Sequence, residues 1–352
     1  MGTEKLDITF IMPTLNRTVF VERSLNYLNM IGANFIVVDG SPKNYRHELN
    51  LPNERYISAP GEPYVERVIL GILESKTEYF MILPDDDYVD IESIKKIMSV
   101  MSKSPHVNSA TGYFLDLWYS AKKDILYFRP VGIKYVEKFK SYDSVKDRIV
   151  QYTDRNYCFL YSVVKTRPIK DYLANNRIPL WVNDYYTSAE DYLTFLFLSL
   201  GNNLLMPVPH LYRSSTPTST SRTENGKEVN KPSKQDYVNF FESMKNTNIH
   251  ADDLVIMLNA ITVRYRANIW RNTIPNTSLL KRFLPKKWKM LLSNLSVYYY
   301  SINDYMIFKR LILKNSHGKA LRETTDLINK SAHFYGDSFW REKRPKYLYF
   351  KL

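Results

Sequence analysis

The fold of this chain is decided by the stretch Tyr79-Phe80-Met81-Ile82-Leu83-Pro84-Asp85-Asp86-Asp87, in which apolar residues run straight into three acids. An apolar run that ends in an abrupt polar signal predicts a buried strand. The acids then lie just past its carboxyl end, where open α/β sheets place their ligand sites. Three adjacent carboxylates repel one another unless a cation lies among them. The alternatives are a solvated acidic turn or a helix N-cap, since Asp favours both.

The segments upstream alternate between strand and helix patterns. Residues 8–12 and 35–38 are apolar and predict strands, with a helical pattern between them. Glu62-Pro63 begins a second helix, because Pro is tolerated at a first helical position. Strand, helix, strand, helix and strand in this order predict a parallel sheet with helices on its faces.

Polar motifs follow the three predicted strands in a fixed order. They are Pro13-Thr14-Leu15-Asn16-Arg17, then Asp39-Gly40-Ser41, then Arg67 in the helix, and finally Asp85-Asp86-Asp87. This order resembles the family 2-type nucleotide-sugar glycosyltransferases of GT-A fold. The resemblance is close over residues 6–95 and returns at Ser188-Ala189-Glu190-Asp191 and His210-Leu211-Tyr212-Arg213, so it spans the first 225 residues or so. It implies a Rossmann-like, mostly parallel sheet flanked by helices.

The resemblance also implies roles for particular residues. The sugar donor, a nucleotide sugar of UDP type, would be bound by Pro13, Thr14, Asn16, Arg17, Asp39, Ser41, Arg67, Asp85, Asp86 and Arg213. A manganese or magnesium ion (Mn²⁺ or Mg²⁺) would be held by Asp87 and Asp85, with His210 as a weaker candidate. Inverting transfer needs a base for the acceptor hydroxyl, and the Glu190-Asp191 pair matches the family's, with Asp191 as the base. The alternative for this pair is an acidic cap of its own helix.

One motif departs from the family pattern. The family usually has Asp-x-Asp-Asp, and here Pro84 stands where the first Asp would be while Asp85 fills the variable position. Asp85 and Asp87 still point to one side of an extended chain. Either Asp86 or Asp87 can be the direct metal ligand.

Two other functional classes compete with glycosyl transfer. A nucleotidyltransferase shares the α/β sheet and the metal-binding acids, but it would carry a glycine-rich phosphate loop, and residues 13–17 contain no glycine. A non-catalytic module that binds sugar nucleotides or glycans is disfavoured because residues 85–87 and Glu190-Asp191 occur together. A retaining transferase stays open, since these motifs do not fix the stereochemistry.

The positive charge divides the chain into two regions. Of 49 Lys and Arg and 36 Asp and Glu, residues 241–352 hold 20 bases and 8 acids, which leaves 29 bases and 28 acids for the first 240 residues. We therefore predict a catalytic domain over residues 1–240, with a nucleotide-binding half at 1–100 and an acceptor half with a mobile loop at 101–240. Residues 241–352 are predicted to form a basic α-helical C-terminal extension.

The basic extension has three interpretations. Aromatic and apolar residues interleave with lysines in the run 281–290, which fits an amphipathic surface on an anionic membrane. A face exposed to solvent ranks second. Binding of nucleic acid ranks last, because no motif for recognising bases accompanies the positive charge. The polar N-terminus and the lack of a long apolar window predict a cytoplasmic protein. The basic run predicts a peripheral position on the inner face of the cell membrane, and the resemblance to glycosyltransferases that act on lipid-linked or envelope glycans implies a glycan or lipid-linked acceptor. Cys158, the single cysteine, is predicted to be a buried hydrophobe.

Overall fold

The structure, a computed structural model, describes residues 6–42, 51–120, 125–131, 143–155, 159–176, 178–179, 186–214, 234–243, 252–261, 306 and 350–351. Three predictions fall outside these residues: the buried Cys158, the mobile loop predicted over 214–234 apart from its two end residues, and the basic run 281–290. The division at residue 240 stays a prediction.

The described strands join in a single mixed sheet. They are β1 Ile8–Thr14, β2 Asn34–Asp39, β3 Glu54–Ser58, β4 Tyr79–Ile82, β5 Tyr88–Val89, β6 Val107–Ser120, β7 Ile125–Val131, β8 Val163–Lys165, β9 Asn202–Ser214 and β10 Phe350–Lys351. Their order is β10-β7-β6-β8-β4-β1-β2-β3, and β9 pairs with β5 and β6.

Helices connect the strands and cover the sheet. They are α1 Thr18–Met30, α2 Tyr64–Glu74, α3 Ile91–Ser102, α4 Val145–Arg155, α5 Thr166–Asn175, α6 Tyr186–Ser199, α7 Lys234–Ser243 and α8 over residues 252–261. The predicted α/β fold, with helices flanking the sheet, is confirmed. None of the helices in the described part of the chain combines the length and the apolarity that crossing a bilayer would take.

The first half of the sheet is parallel and aligns the carboxyl ends of its strands. β1 pairs with β2 and β4, and β2 pairs with β3, all in parallel. Thr14 lies opposite Asp39, which lies opposite Ser58, so these strands end together. The sequence did not predict β3, because its residues are half-exposed at the sheet edge and show no apolar run.

The second half of the sheet, β5 to β10, is largely antiparallel, and β9 joins β5 to β6 in it. This strand runs parallel to β6 and antiparallel to β5, with Tyr88 opposite Tyr212. This strand continues to Ser214, so Arg213 lies within it. Because β5 directly follows the three acids, this pairing brings the end of β9 to the carboxyl edge of β4.

One apolar core lies under α2 and α6. α2 packs on β1 and β2, where Gly71 allows close approach: a Cβ there would lie 2.3 Å from Cγ2 of Ile11. α6 packs beside α2, and its Phe197 ring lies 5.8 Å from that of Phe80 in β4. Most buried apolar residues of both halves belong to the same cluster. α8 adds buried residues to it from the predicted C-terminal extension.

Candidate functional site

The acidic turn, residues 85–87, is buried where β4 ends. Leu83 extends the strand pairing through its amide, which donates to the carbonyl of Ile11 at 2.8 Å. Asp85 and Asp87 are only 3% and 5% exposed, so the alternative of a solvated turn is wrong. The alternative of a helix cap is wrong as well, because the N-cap of α3 is Asp90, which accepts from the amide of Ser93 at 2.8 Å.

Arg17 neutralises two of the three acids. Its Nη1 lies 2.7 Å from Oδ1 of Asp85, and its Nη2 lies 2.8 Å from Oδ2 of Asp86. Thr14 donates its hydroxyl to the other oxygen of Asp85 at 2.7 Å. Burial lowers the pKa of the Arg17 guanidinium, but Asp85 and Asp86 together raise it by more, so the net shift is upward. Arg17, predicted to bind the donor, is therefore also the counter-ion of the acids in this structure.

Asp87 has a weaker set of partners than Asp85. Its Oδ1 accepts from the amide of Ser214 at 2.9 Å. Burial and then the charge of Asp86 raise the pKa of Asp87 well above its usual value, and Ser214 and Arg213 oppose that shift. A nearby cation would favour the ionised carboxylate. Asp87 is thus the acid of this turn with most to gain from a metal ion.

The oxygen ligands of the acidic turn suit a hard divalent cation. Within the described residues no three His, Cys, Asp or Glu side chains form a group that could hold a metal ion by themselves. Mg²⁺ commonly binds through one or two carboxylates, with the phosphates of a substrate and water completing its coordination. The acidic turn fits that mode rather than a site made of protein ligands alone.

Two side chains of α1 that were not predicted from the sequence support the backbone of the acidic turn. Arg23 donates Nη2 to the carbonyl of Asp86 at 2.6 Å, and Ser24 donates its hydroxyl to the carbonyl of Asp85 at 2.6 Å. Both are 1% exposed. A signal for Ser24 was present, since it lies three residues after Val21 on the apolar face of the helix.

The loops after β1 and β2 are bonded to each other at the same edge. Oδ1 of Asp39 accepts from the amide and the hydroxyl of Ser41, at 2.9 and 2.5 Å. The hydroxyl of Ser41 in turn accepts from the amide of Asn16 at 2.8 Å. The hydroxyl of Tyr56 donates to Oδ2 of Asp39 at 2.9 Å. The predicted donor-binding residues of the two loops are therefore neighbours, and Tyr56, on the unpredicted strand β3, joins them.

Arg67 lies beneath these loops. Its Nη1 donates to the carbonyl of Thr14, and the side chain is only 6% exposed. Gly40 leaves room for it, because a Cβ at that position would lie 2.9 Å from Cδ of Arg67. The structure thus gives Arg67 a role in supporting the β1 loop, where the sequence predicted contact with the donor.

Arg213 is oriented by Asp116 of β6, a residue that was not predicted from the sequence. The Nε and Nη2 of Arg213 donate to Oδ1 of Asp116 at 2.9 and 2.6 Å. Arg129 of β7 donates to the other carboxylate oxygen. Burial raises the pKa of Asp116, and the two arginines lower it by more, so the net shift is downward. Arg213 stays partly exposed, with 35% of its side chain accessible.

His210 lies in the core, and the structure corrects its assignment as a metal ligand. Its Nδ1 accepts from the amide of Gly112 at 3.1 Å, and its Nε2 lies 2.9 Å from the carbonyl of Tyr161. The side chain is 0% exposed. Both ring nitrogens are used by backbone groups of the core, so the imidazole as placed offers no lone pair to a metal.

The burial of His210 should make the free energy of unfolding depend on pH. Burial lowers the pKa of His210 from 6.5 to about 4. The unfolded chain then takes up a proton near pH 6.5, which the folded chain takes up only near pH 4. The contribution of His210 to the free energy of unfolding is complete above pH 6.5. It falls by roughly 3 kcal/mol as the pH is lowered through this window.

Urea unfolding of the wild type and His210→Gln at several pH values checks this expectation. The variant should be less stable at pH 7.5 but should lose less stability between pH 6.5 and 4. His106→Gln, at an exposed position, should keep the wild-type slope. An unchanged slope in His210→Gln would refute the prediction.

The Glu190-Asp191 pair lies in the second turn of α6, because that helix begins at Tyr186. The pair therefore does not cap the helix, and the capping alternative is wrong. Asp191 is 7% exposed and accepts at Oδ1 from the hydroxyl of Tyr152 at 3.0 Å. The helix that carries the pair packs against α2, which follows the carboxyl end of β3.

Comparisons with known proteins support the fold. No protein-family model and no curated protein sequence matches the chain. Crystal structures of TarS from S. aureus are similar to it. Residues 1–349 of TarS share 12% identity over 98% of this chain and 99% of that one, with a TM-score of 0.53. The same TarS fragment in complex with UDP-GlcNAc gives 13% identity over 98% and 99% of the two chains and a TM-score of 0.53. Against the longer TarS chain the match spans 45% of its length and 75% of this chain. At this level of identity the similarity establishes a shared fold.

Proposed function

We propose that this protein is a glycosyltransferase that moves a sugar from a UDP-type nucleotide sugar to a hydroxyl of a surface polysaccharide or glycoconjugate. The observation that carries the proposal is the buried acidic turn, bridged by Arg17, at the carboxyl edge of a parallel sheet. Ligands of open α/β sheets bind at that edge. TarS, a glycosyltransferase with the same fold, has been crystallised with UDP and with UDP-GlcNAc.

The donor would lie across the loops after β1 and β2. Asp39 would accept a hydrogen bond from the ribose or base, and Ser41, which accepts from the amide of Asn16 and donates to Asp39, would contact the donor beside it. Arg17 and Arg213 are guanidinium groups, which match phosphate oxygens in bidentate geometry. Asp116 limits the rotation of Arg213 and leaves it partly exposed for this contact.

A divalent cation is part of the proposal. Asp87, with Asp85 or Asp86, would hold Mn²⁺ or Mg²⁺. When bound, the ion would neutralise the negative charge that develops on the departing diphosphate. Asp87 supports this assignment because its carboxylate is buried and has an amide, rather than a cationic side chain, as its hydrogen-bond partner.

Transfer with inversion needs one base on the side of the acceptor. Asp191 would take the proton of the acceptor hydroxyl as its oxygen attacks the anomeric carbon. The bond from that carbon to the diphosphate oxygen breaks, and the nucleoside diphosphate leaves with the electron pair of that bond. Glu190 is the alternative base, one position away on the same helix turn.

The acceptor and the cellular location are supported by the sequence alone. We propose that the basic run 281–290 brings the enzyme to an anionic membrane surface, where a glycan or lipid-linked acceptor would be found. Reversing the charge of Lys286, Lys287 and Lys289 should then abolish sedimentation with anionic liposomes, and added salt should weaken the binding of the wild type. Liposome binding that survives the charge reversal would refute this role.

Binding of the donor is the first experimental test. UDP-GlcNAc at about 100 times its Kd, with Mn²⁺, should stabilise the folded protein by roughly 2.7 kcal/mol. Differential scanning fluorimetry should show the shift with UDP-GlcNAc or another nucleotide sugar in a panel, and less of it after chelation. Stabilisation by nucleoside triphosphates, with none by any nucleotide sugar, would favour the nucleotidyltransferase alternative. No shift with any nucleotide would favour a different function.

A further inference from the structure

Tyr152 contacts Asp191, the residue proposed as the base. It lies on α4 and donates its hydroxyl to Oδ1 of Asp191 on α6 at 3.0 Å. Both side chains are buried, with Tyr152 4% and Asp191 7% exposed. A buried hydrogen bond between two separate helices, ending on the proposed base, points to a role in the reaction.

Packing fixes the position of the Tyr152 hydroxyl independently of Asp191. The ring lies 5.6 Å from that of Phe195 and 6.3 Å from that of Phe159, both in edge-to-face geometry. Phe195 follows Asp191 by one helical turn on α6, so the ring of Tyr152 packs against the same helix that carries the acid. Phe195 is held in turn by Tyr237 and Phe241 of α7.

The Asp191 carboxylate needs such a partner. The terminal torsion of an Asp side chain has a broad energy profile, so the carboxylate plane is not fixed by rotamer preference. A base must present an oxygen to the acceptor within hydrogen-bond distance and in the right direction. A donor held rigidly at Oδ1 limits rotation of the plane.

We propose that Tyr152 is a positioning residue that orients the Asp191 carboxylate for removal of the acceptor proton. This inference rests on the proposed function, in which Asp191 is the base. The proton moves from the acceptor oxygen to Asp191, and Tyr152 keeps its own proton throughout. Tyr152 therefore acts through Asp191 and contacts neither the donor nor the reacting atoms.

Tyr152→Phe tests the proposal, because it removes the hydroxyl and keeps the ring. The assay uses the full chain and follows UDP release from UDP-GlcNAc with water as the acceptor. The kcat of the variant should be lower than that of the wild type by on the order of 10-fold. This is less than the roughly 10²-fold loss of rate that a misplacement of a reacting group by about 1 Å can cause. The KM for UDP-GlcNAc and the melting temperature should stay close to those of the wild type.

A double-mutant cycle separates positioning from general support of the fold. In an Asp191→Asn background, Tyr152→Phe should lower kcat no further, because residues that act as one unit are not additive. Tyr237→Phe is the matched control, since it removes a hydroxyl from the same aromatic cluster and should leave kcat unchanged. An equal loss from Tyr152→Phe in both backgrounds would overturn the proposal and leave Tyr152 as structural support.

The remaining outcomes distinguish this proposal from the proposed function. Wild-type turnover in Tyr152→Phe, beside a severe loss in Asp191→Asn, overturns the role of Tyr152 alone. Wild-type turnover in Asp191→Asn overturns the assignment of the base and the role of Tyr152 with it. A crystal structure of Tyr152→Phe gives a readout independent of turnover: the Asp191 carboxylate should rotate while the backbone of α6 stays in place. An unrotated carboxylate contradicts the proposal.

Discussion

Asp191→Asn is expected to lower turnover by roughly 10²-fold or more and to leave the affinity for the nucleotide sugar near that of the wild type. The amide cannot take a proton from the acceptor, yet it has nearly the size of the carboxylate and can still accept the hydrogen bond of Tyr152. Initial rates of UDP release and binding of UDP-GlcNAc by calorimetry measure the two quantities separately. A large fall in kcat with an unchanged Kd is the signature of a group needed mainly in the transition state.

Glu190→Gln is the matched control for this prediction. It neutralises the neighbouring acid in the same helix turn, so any effect of local charge alone should appear in both variants. The severe loss should be confined to Asp191→Asn. If Glu190→Gln is the severe variant, the base has been misassigned by one position, and if neither variant is impaired, the pair takes no part in the reaction.

Asp87→Asn is expected to abolish the metal dependence of donor binding without unfolding the protein. The amide oxygen can still accept from the amide of Ser214, so the turn keeps its hydrogen bond. Burial and Asp86 raise the pKa of this carboxyl in the folded state. Removing its charge should therefore not lower stability at neutral pH. Calorimetric titration with UDP-GlcNAc should give the variant the same affinity in Mn²⁺ as in chelator. The wild type should bind more tightly in Mn²⁺ than in chelator.

Asp90→Asn provides the contrast within the same segment. Asp90 is buried three residues further on, caps α3 and accepts from the hydroxyl of Tyr212 at 2.9 Å. Its replacement should lower the melting temperature and leave the metal dependence of donor binding as in the wild type. A metal-dependent affinity that survives in Asp87→Asn would show that the ion, if one binds, is held elsewhere.

The parallel half of the fold was predictable from local sequence, because its buried strands are apolar runs with sharp polar ends. The same logic located the acidic turn, since acids after a buried strand lie at a sheet edge. It failed for β3, whose half-exposed residues carry no such pattern. It also failed for β9, where Pro207 and Pro209 argue against a continuous strand. The structure accommodates these prolines through register shifts opposite Gly112, where a Cβ would lie 2.0 Å from the carbonyl oxygen of Val208.

The partners of the site residues could not be predicted, because they are distant in the sequence. Arg17 meets the acids 68 and 69 positions later, and Arg213 meets Asp116 97 positions earlier. Which side chains meet depends on strand order and register, which the sequence pattern left undetermined. His210 shows the same limit, since its place inside the sheet follows from the unpredicted length of β9.

The pairing of β5 with β9 has a consequence for how this site can change during evolution. The acidic turn lies between two fixed points: Leu83, bonded to β1, and Tyr88, registered opposite Tyr212. An insertion or deletion that shifted the register of β5 by one residue would move its side chains to the opposite face of the sheet. Substitutions within the turn leave this register unchanged. Hydrogen bonds on both sides of the acidic turn therefore constrain its length.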